Sequence, residues 1–363
     1  MRGDTSILIV GAGPTGLTAA VELARHGILP RIIDRDDGPT PLSKAVGISS
    51  HSLDLLEPSG VTTRLLNAGI RIRRGHVHYG TRELGVVRFD VLHHRFNFLL
   101  SLPQSETETL MADVLSGFGG RVEWRTQLVS LERAGQDVRV TLEGPNGREE
   151  ARYAMVFGAD SVRSKVREAV GVEFRGYTHE RIWSIADVDV ADWPYEAGAA
   201  QLFLLPGGDI GFIIPIGTAR FRAVSNTPDA MTCIPGNYRI TRVLLTDTFR
   251  IDIRQATVYQ KGDVFLGGDA AHVQSPVGAR GMNLGIEDAA AFARRYVQGT
   301  LDGYTQERHP VGEHWIALSE RLLRVAQARD WGTIALRNLA FAVVGHVAAL
   351  QRPVVERVAG VRE

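Results

Sequence analysis

The chain has 363 residues, with 41 Lys+Arg against 41 Asp+Glu, and a single cysteine, Cys233. The length suits two or three domains, and the charge balance argues against nucleic acid or an anionic membrane as the main partner, since both demand a positive surplus. One cysteine excludes an internal disulfide framework and a cysteine-rich metal site.

The first element is the apolar run Ile7 to Val10, which predicts a strand buried on both faces. Gly11-Ala-Gly13-Pro14-Thr15-Gly16 follows, then a helical segment from Leu17 to His26 that ends at Gly27. Arg31 to Asp34 reads as a second short strand ending in a carboxylate. Strand, G-x-G-x-x-G, helix, strand and acid in that order predict dinucleotide binding. Gly11 permits a tight turn, Gly13 lets backbone approach a pyrophosphate, and Gly16 lets the helix pack on the strand. The helix N-terminus offers unpaired N–H groups and partial positive charge to the phosphates, and Asp34 offers an acceptor to ribose hydroxyls. The motif alone leaves NAD and FAD equally open.

Further along, the residues from Gly75 to Phe98 are spaced like short strands. Trp183 to Val190, Gln201 to Leu205, Gly211 to Ile216 and Arg220 to Val224 extend that pattern, with Pro206-Gly-Gly-Asp209 as a turn. These predict an antiparallel sheet. The apolar strand from Val264 ends at Gly267-Gly268, then Asp269, a turn with Pro276 and Gly278, and a helix starting near Gly281. Beyond about residue 300 the pattern is helical. Ile334 to Leu350 is interrupted by Arg337, Asn338 and His346, so it reads as an amphipathic or buried helix and no membrane span is expected. The apolar start is too short for a signal peptide, so a soluble cytoplasmic location is expected.

Gly268-Asp269 within Gly-Gly-Asp-Ala-Ala-His272, then Pro276, Gly278 and Gly281-Met282-Asn283, resembles the ribityl-binding motif of single-component FAD-dependent aromatic hydroxylases, the family of para-hydroxybenzoate hydroxylase and the polyketide hydroxylases. Gly158-Ala-Asp160-Ser-Val-Arg-Ser164 is similar to their third fingerprint. Leu102-Pro-Gln104-Ser-Glu-Thr-Glu108 and Pro41-Leu-Ser-Lys44-Ala45 match two further family stretches in order and spacing.

The resemblance implies an α/β fold: a discontinuous Rossmann-like FAD-binding domain (residues 1–72, 99–175 and 257–300), an inserted antiparallel substrate sheet (73–98 and 176–256) and C-terminal helices (301–363). It implies that FAD is held by Gly11, Gly13, Pro14, Thr15, Gly16, Asp34, Arg35, Lys44, Gln104, Asp160, Gly268, Asp269, Pro276, Gly278, Gly281, Met282 and Asn283. Backbone amides from Gly281 to Asn283 would face the flavin N1/O2 edge, where reduced flavin carries negative charge. NAD(P)H would be a transient co-substrate, O₂ would add at flavin C4a to give a hydroperoxide, and an aromatic or polyketide-like carbon would take the oxygen. No catalytic side chain is identified, no metal is expected, and a homo-oligomer is allowed. The alternatives are a reductase or desaturase, a halogenase-like enzyme, or a non-catalytic flavin-binding accessory protein. The halogenase Trp-x-Trp-x-Ile-Pro signature is absent.

Three departures from the family pattern stand out. Ser161 occupies a position where the family has glycine, and Lys44 one where it has arginine. Ala279-Arg280 replaces Gly-Gln, so Arg280 reads either as a guanidinium near the flavin or substrate entrance or as a surface residue. The adjacent acids Glu287-Asp288 read as a helix surface, with Asp288 supporting the turn, and Cys233 reads as packing. Among the histidines, His76-x-His78 and His93-His94 lie closest but lack metal-site spacing.

Overall fold

The computed structural model describes residues 6–40, 45–135 and 137–361. The strand Ile7–Val10 is completely buried and lies inside a six-stranded sheet. It pairs in parallel with Met155–Gly158 on one side and Arg31–Ile33 on the other. Val264–Leu266 continues the parallel order beyond Met155–Gly158, and Val122–Glu123 does so beyond Arg31–Ile33. A sheet buried on both faces needs continuous apolar strands, and Ile7 to Val10 supplies one. The helix Pro14–Ala24 covers it, with proline in the first turn where a missing N–H costs nothing.

Two of the motif glycines are fixed by space. Gly11 has φ +104°, and a Cβ there would lie 2.3 Å from the Ala159 carbonyl oxygen. On Gly16 a Cβ would lie 1.8 Å from the Gly11 carbonyl oxygen. Helix, turn and neighbouring strand therefore meet through bare backbone.

The second large sheet has eight strands. Its order is His272–Val273, Arg239–Ala256, Phe174–Ala191, Arg220–Ser225, Ile210–Gly217, Ala200–Leu204, Arg74–Tyr79, Arg82–Arg88. All pairings are antiparallel except Ala200–Leu204 with Arg74–Tyr79, which is parallel. Phe174–Ala191 and Arg239–Ala256 form a long ribbon of 18 residues in each strand. The outer face of the sheet packs Phe203, Ile213, Phe221 and Ala223 beneath the segment around Trp193, Tyr195 and Tyr238. The inner face packs Trp183, Leu204, Ile210 and Ile253 against the helix Tyr304–Ala326.

The C-terminal helices depart from the sequence expectation in one respect. The helix Trp331–His346 buries its arginine, not its apolar residues. Arg337 donates to the Ala326 carbonyl at 2.7 Å and lies over the Tyr79 ring. Trp331 is 85 % exposed and Leu336 70 %. No single helix among the described residues is long and apolar enough to cross a membrane.

The close approach at Gly16 gives the first expected outcome. Gly16→Ala should lower the chemical unfolding free energy by about 1–3 kcal/mol, the usual penalty of overpacking, measured on the cofactor-free chain. A variant as stable as the wild type would show that the helix stands off the turn.

Candidate cofactor and substrate site

Two helix N-termini and three strand ends converge here. Gly13 caps the helix Pro14–Ala24 without a side-chain hydrogen bond, so its first amides are unanswered by the protein's own caps. A Cβ on Gly13 would have only Glu108 Oε1, at 3.8 Å, as a neighbour. Asp34 ends the next strand, and its carboxylate takes the Ala12 amide at 2.6 Å and the Asp36 amide at 2.9 Å. Each oxygen keeps a further lone pair. Arg35 is exposed and lines an open cleft of about 320 Å³ with Arg125, Gln127 and Glu143. Lys44 lies outside the described residues.

Gln104 begins the helix Gln104–Gly117, and its amide donates to the Ala45 carbonyl at 3.2 Å. Its side chain donates to Glu108 Oε1 at 2.8 Å. Glu108 closes the Leu102–Glu108 stretch, one turn along the helix from Gln104. It is buried, it accepts from the Thr40 amide at 2.8 Å, and desolvation pushes its pKa above the ordinary carboxylate range. Asp160 follows the strand Met155–Gly158. Its Oδ2 accepts from the Val166 amide at 3.1 Å, Oδ1 has no donor among the described residues, and burial raises its pKa.

The third cluster supplies the second helix terminus. Gly268 has φ +58°, and a Cβ on it would lie 2.4 Å from Thr15 Oγ1. On Gly285 a Cβ would lie 2.2 Å from the same oxygen. Thr15 therefore fits between the Gly268 turn and the helix Gly281–Gln298. Asp269 is exposed beside Gly268, as is Pro276, whose carbonyl accepts from the Ala279 amide at 3.0 Å. Gly278 has φ +104°, and both it and Gly281 face open space on the Cβ side. Met282 is partly buried. The Asn283 side chain is wholly buried and committed to the protein. It donates to the Gly47 and Ala279 carbonyls and accepts from the Ser49 amide and the Ser52 hydroxyl. Only its backbone is left to face a ligand.

The Glu287-Asp288 pair is not a helix surface, although Asp288 does support the Gly268 turn, and Arg280 is not a surface residue. These two expectations are corrected by a buried charge network. Asp288 Oδ2 takes His272 Nε2 at 2.7 Å and the Gly268 amide at 3.0 Å, and Oδ1 takes Arg308 Nε at 2.7 Å. Arg308 reaches Glu287 at 3.3 Å, and Glu287 accepts from Arg280 at 2.5 Å. Arg280 is 3 % exposed and lies over the Trp315 ring, with its carbon 4.7 Å from the ring centre. The signal that would have revealed this is Arg308, twenty residues beyond Asp288 and early in the next helix, and sequence spacing does not show that contact.

The substrate wall comes from strand register. Ile185 stands opposite Val224, Val224 opposite Phe212, Phe212 opposite Leu202, and Leu202 opposite Val77. Directly opposed residues share a face, so this is one apolar row across the inner side of the sheet. Val277, from the turn before Gly281, packs on the same cluster. The next row places Arg222 opposite Asp187, joined by two hydrogen bonds of 2.7 and 2.6 Å. Arg222 also donates to the Ala45 carbonyl at 3.4 Å, bridging the sheet to the segment that holds Gln104. Tyr177 is exposed on the long ribbon. His76 bonds Glu83 and Glu196, but no group of three metal-ligating side chains exists among the described residues. Cys233 is buried.

Two departures from the family pattern fall on strained backbone. Ser161 has φ +68° and Ala279 has φ +52°, a region that costs an L-residue about 1–2 kcal/mol. FAD fits the arrangement: two uncapped helix starts with glycines that present bare backbone, a carboxylate at a strand end, and a buried Asp160 oxygen lacking a donor among the described residues.

The FAD binding domain family matches residues 4–229 and 238–319. Pentachlorophenol 4-monooxygenase of Sphingobium chlorophenolicum is 30 % identical over 96 % of this chain and 70 % of its own length. The 6-methylpretetramide 4-monooxygenase of Streptomyces rimosus is 31 % identical over 92 % of this chain and 62 % of its own. The crystal structure of p-nitrophenol 4-monooxygenase from Pseudomonas putida superposes with a TM-score of 0.89 at 21 % identity, covering 99 % of each chain, which shows a shared fold.

Two outcomes are expected. Ser161→Gly and Ala279→Gly should each raise the unfolding free energy by about 1 kcal/mol in denaturant titrations, since glycine relieves the left-handed conformation. Stability should also depend on His272 and Asp288. Burial works against a charged His272, but the Asp288 charge and hydrogen bond outweigh it and its pKa is raised. That contribution is full below the ordinary histidine range and is lost as pH rises through the raised value. Burial likewise opposes a charged Asp288, yet His272 and Arg308 hold it below the carboxylate range, so its contribution is lost only as pH falls through that depressed value. Melting curves of His272→Gln should show a flattened alkaline limb. An unchanged limb would count against the ion pair.

Proposed function

The chain belongs to the FAD binding domain family of flavoprotein monooxygenases, and from that premise we propose that it hydroxylates an uncharged aromatic or polyketide-like compound, using NAD(P)H and O₂. One observation carries the substrate class: the inner row Ile185, Val224, Phe212 and Leu202 is apolar throughout and meets Val277 of the turn before the helix Gly281–Gln298. Such a wall suits a flat apolar ring and gives an anion nothing to pair with. The neighbouring Arg222 already has its charge answered by Asp187.

Bound FAD supplies the two-electron chemistry and the activation of oxygen. The protein's own work is holding, orienting and drying. Amides at the start of Pro14–Ala24 hold the pyrophosphate, and Asp34 holds the adenosine ribose. Asp269, beside the Gly268 turn, serves the ribityl chain. Amides from Gly281 to Asn283, at a helix start without a side-chain cap, face the flavin edge that becomes negative on reduction. Asp160 offers its unpartnered oxygen near the pyrophosphate and the path of the nicotinamide. The apolar row keeps water from the reacting centre, where it would divert reduced oxygen to H₂O₂.

The test uses the purified chain with FAD, NADH or NADPH and a panel of mono- and polycyclic phenols. NAD(P)H consumption should rise with a productive phenol, and one ¹⁸O atom from labelled O₂ should appear in the product. Phe212→Ala and Val224→Ser should each raise the H₂O₂ formed per NAD(P)H consumed several-fold. Turnover of substrate without label would identify a reductase or desaturase. Oxidation of NAD(P)H indifferent to every phenol would remove the aromatic reading.

A further inference from the structure

The network beneath the helix Gly281–Gln298 has a charge count of its own. Arg280 and Arg308 cancel Glu287 and Asp288. His272 is the remaining member, and it is wholly enclosed, with 2 % of its surface exposed. Both of its ring nitrogens face acceptor oxygens: Asp288 Oδ2 at 2.7 Å and Gln274 Oε1 at 3.4 Å. With the Gln274 amide turned this way, both nitrogens donate only in the protonated ring, whose charge the Asp288 carboxylate answers at 2.7 Å.

The groups around the ring come from every element that packs on it. The helix Gly281–Gln298 presents Asp288, and the helix Tyr304–Ala326 presents Arg308. The Gly268 turn presents Asp269, whose charge also favours the protonated ring. Tyr259 stacks at 5.6 Å between ring centres and in turn meets His309. The same Asp288 oxygen that holds His272 holds the Gly268 amide, and Arg280 is the residue immediately before the helix start.

We propose that His272, Asp288, Arg308, Glu287 and Arg280 are positioning residues that set the charge behind the flavin-facing amides, and that His272 carries the one unit of that charge which changes with pH. The inference rests on the proposed placement of the flavin edge at the Gly281–Asn283 amides. A positive unit there favours reduced flavin, whose negative charge lies at that edge, and the dry surroundings make the effect larger than it would be in water. The network acts through the amides and the turn, without touching substrate.

The experiment is a redox titration of the FAD-loaded protein against indicator dyes across the neutral and alkaline range. The wild-type potential should fall through an additional step as His272 loses its proton. On the acidic side of that step His272→Gln should favour reduced flavin about tenfold less, which is about 30 mV for a two-electron couple, and at high pH the two curves should merge. Gln274→Leu removes the second acceptor and leaves every charge in place, so it should move the step to lower pH. That variant decides the matter alone if His272→Gln fails to retain FAD. Superimposable curves for all three proteins would overturn the inference, as would an offset in His272→Gln that is the same at every pH, since that would mark mere displacement. A protein that shows the step but forms no hydroxylated product leaves the inference standing and defeats the proposed function. A wild-type chain that takes up no FAD defeats both.

Discussion

One carboxylate that does not reach solvent ties together the elements around the Gly268 turn. Asp288 accepts from the Gly268 amide, from His272 and from Arg308. The first contact holds that turn, the second the short strand after it, and the third the next helix. A buried carboxylate is costly unless each oxygen is answered, and here both are. Without these three donors the Gly268 turn and the helix Gly281–Gln298 would have no fixed relation, and Thr15 could not fit between Gly268 and Gly285. Thr15, at the start of the first helix, packs against the turn that Asp288 holds.

Much of this fold was legible in the residues because the requirements are local. Gly11 and Gly16 answer to φ and to close approach, and those demands show in the sequence as glycine at fixed spacing. The strand Ile7–Val10 is short, apolar and followed by a turn, so its state follows from its neighbours in sequence. The support Asp288 gives the turn was legible, but the burial of Glu287 and Asp288 was not, for the opposite reason. Two adjacent acids on a helix suit a solvated face until Arg280, Arg308 and His272 arrive from other elements. Glu108 was hidden likewise, since its burial depends on Thr40 and Gln104. The strand Arg239–Ala256 lacked a clean alternation of apolar residues because much of its length is solvent-facing on both sides.

Five described residues other than glycine have positive φ, and two of them fall in the motif segments. Ser161 follows Asp160, and Ala279 lies in the turn before Arg280. Ala279 has no polar side-chain atom to compensate. Strain of this kind persists only where surrounding contacts over-determine the backbone. Around Ala279 those contacts are visible: its amide bonds Pro276 and its carbonyl accepts from Asn283. For Ser161 the structure offers no comparable explanation.

The order of strands in the six-stranded sheet has a consequence for synthesis. Ile7–Val10 is made some hundred and fifty residues before its parallel partner Met155–Gly158, and Val264–Leu266 follows a further hundred later. The helix Gly281–Gln298, which closes on the first helix, comes later still. The nascent chain therefore holds an aggregation-prone, half-built sheet for most of its translation, with one face of Ile7–Val10 unpaired. Contacts this distant make for slow folding. The pair of helix starts at the candidate cofactor site is therefore incomplete until the helix Gly281–Gln298 has been made.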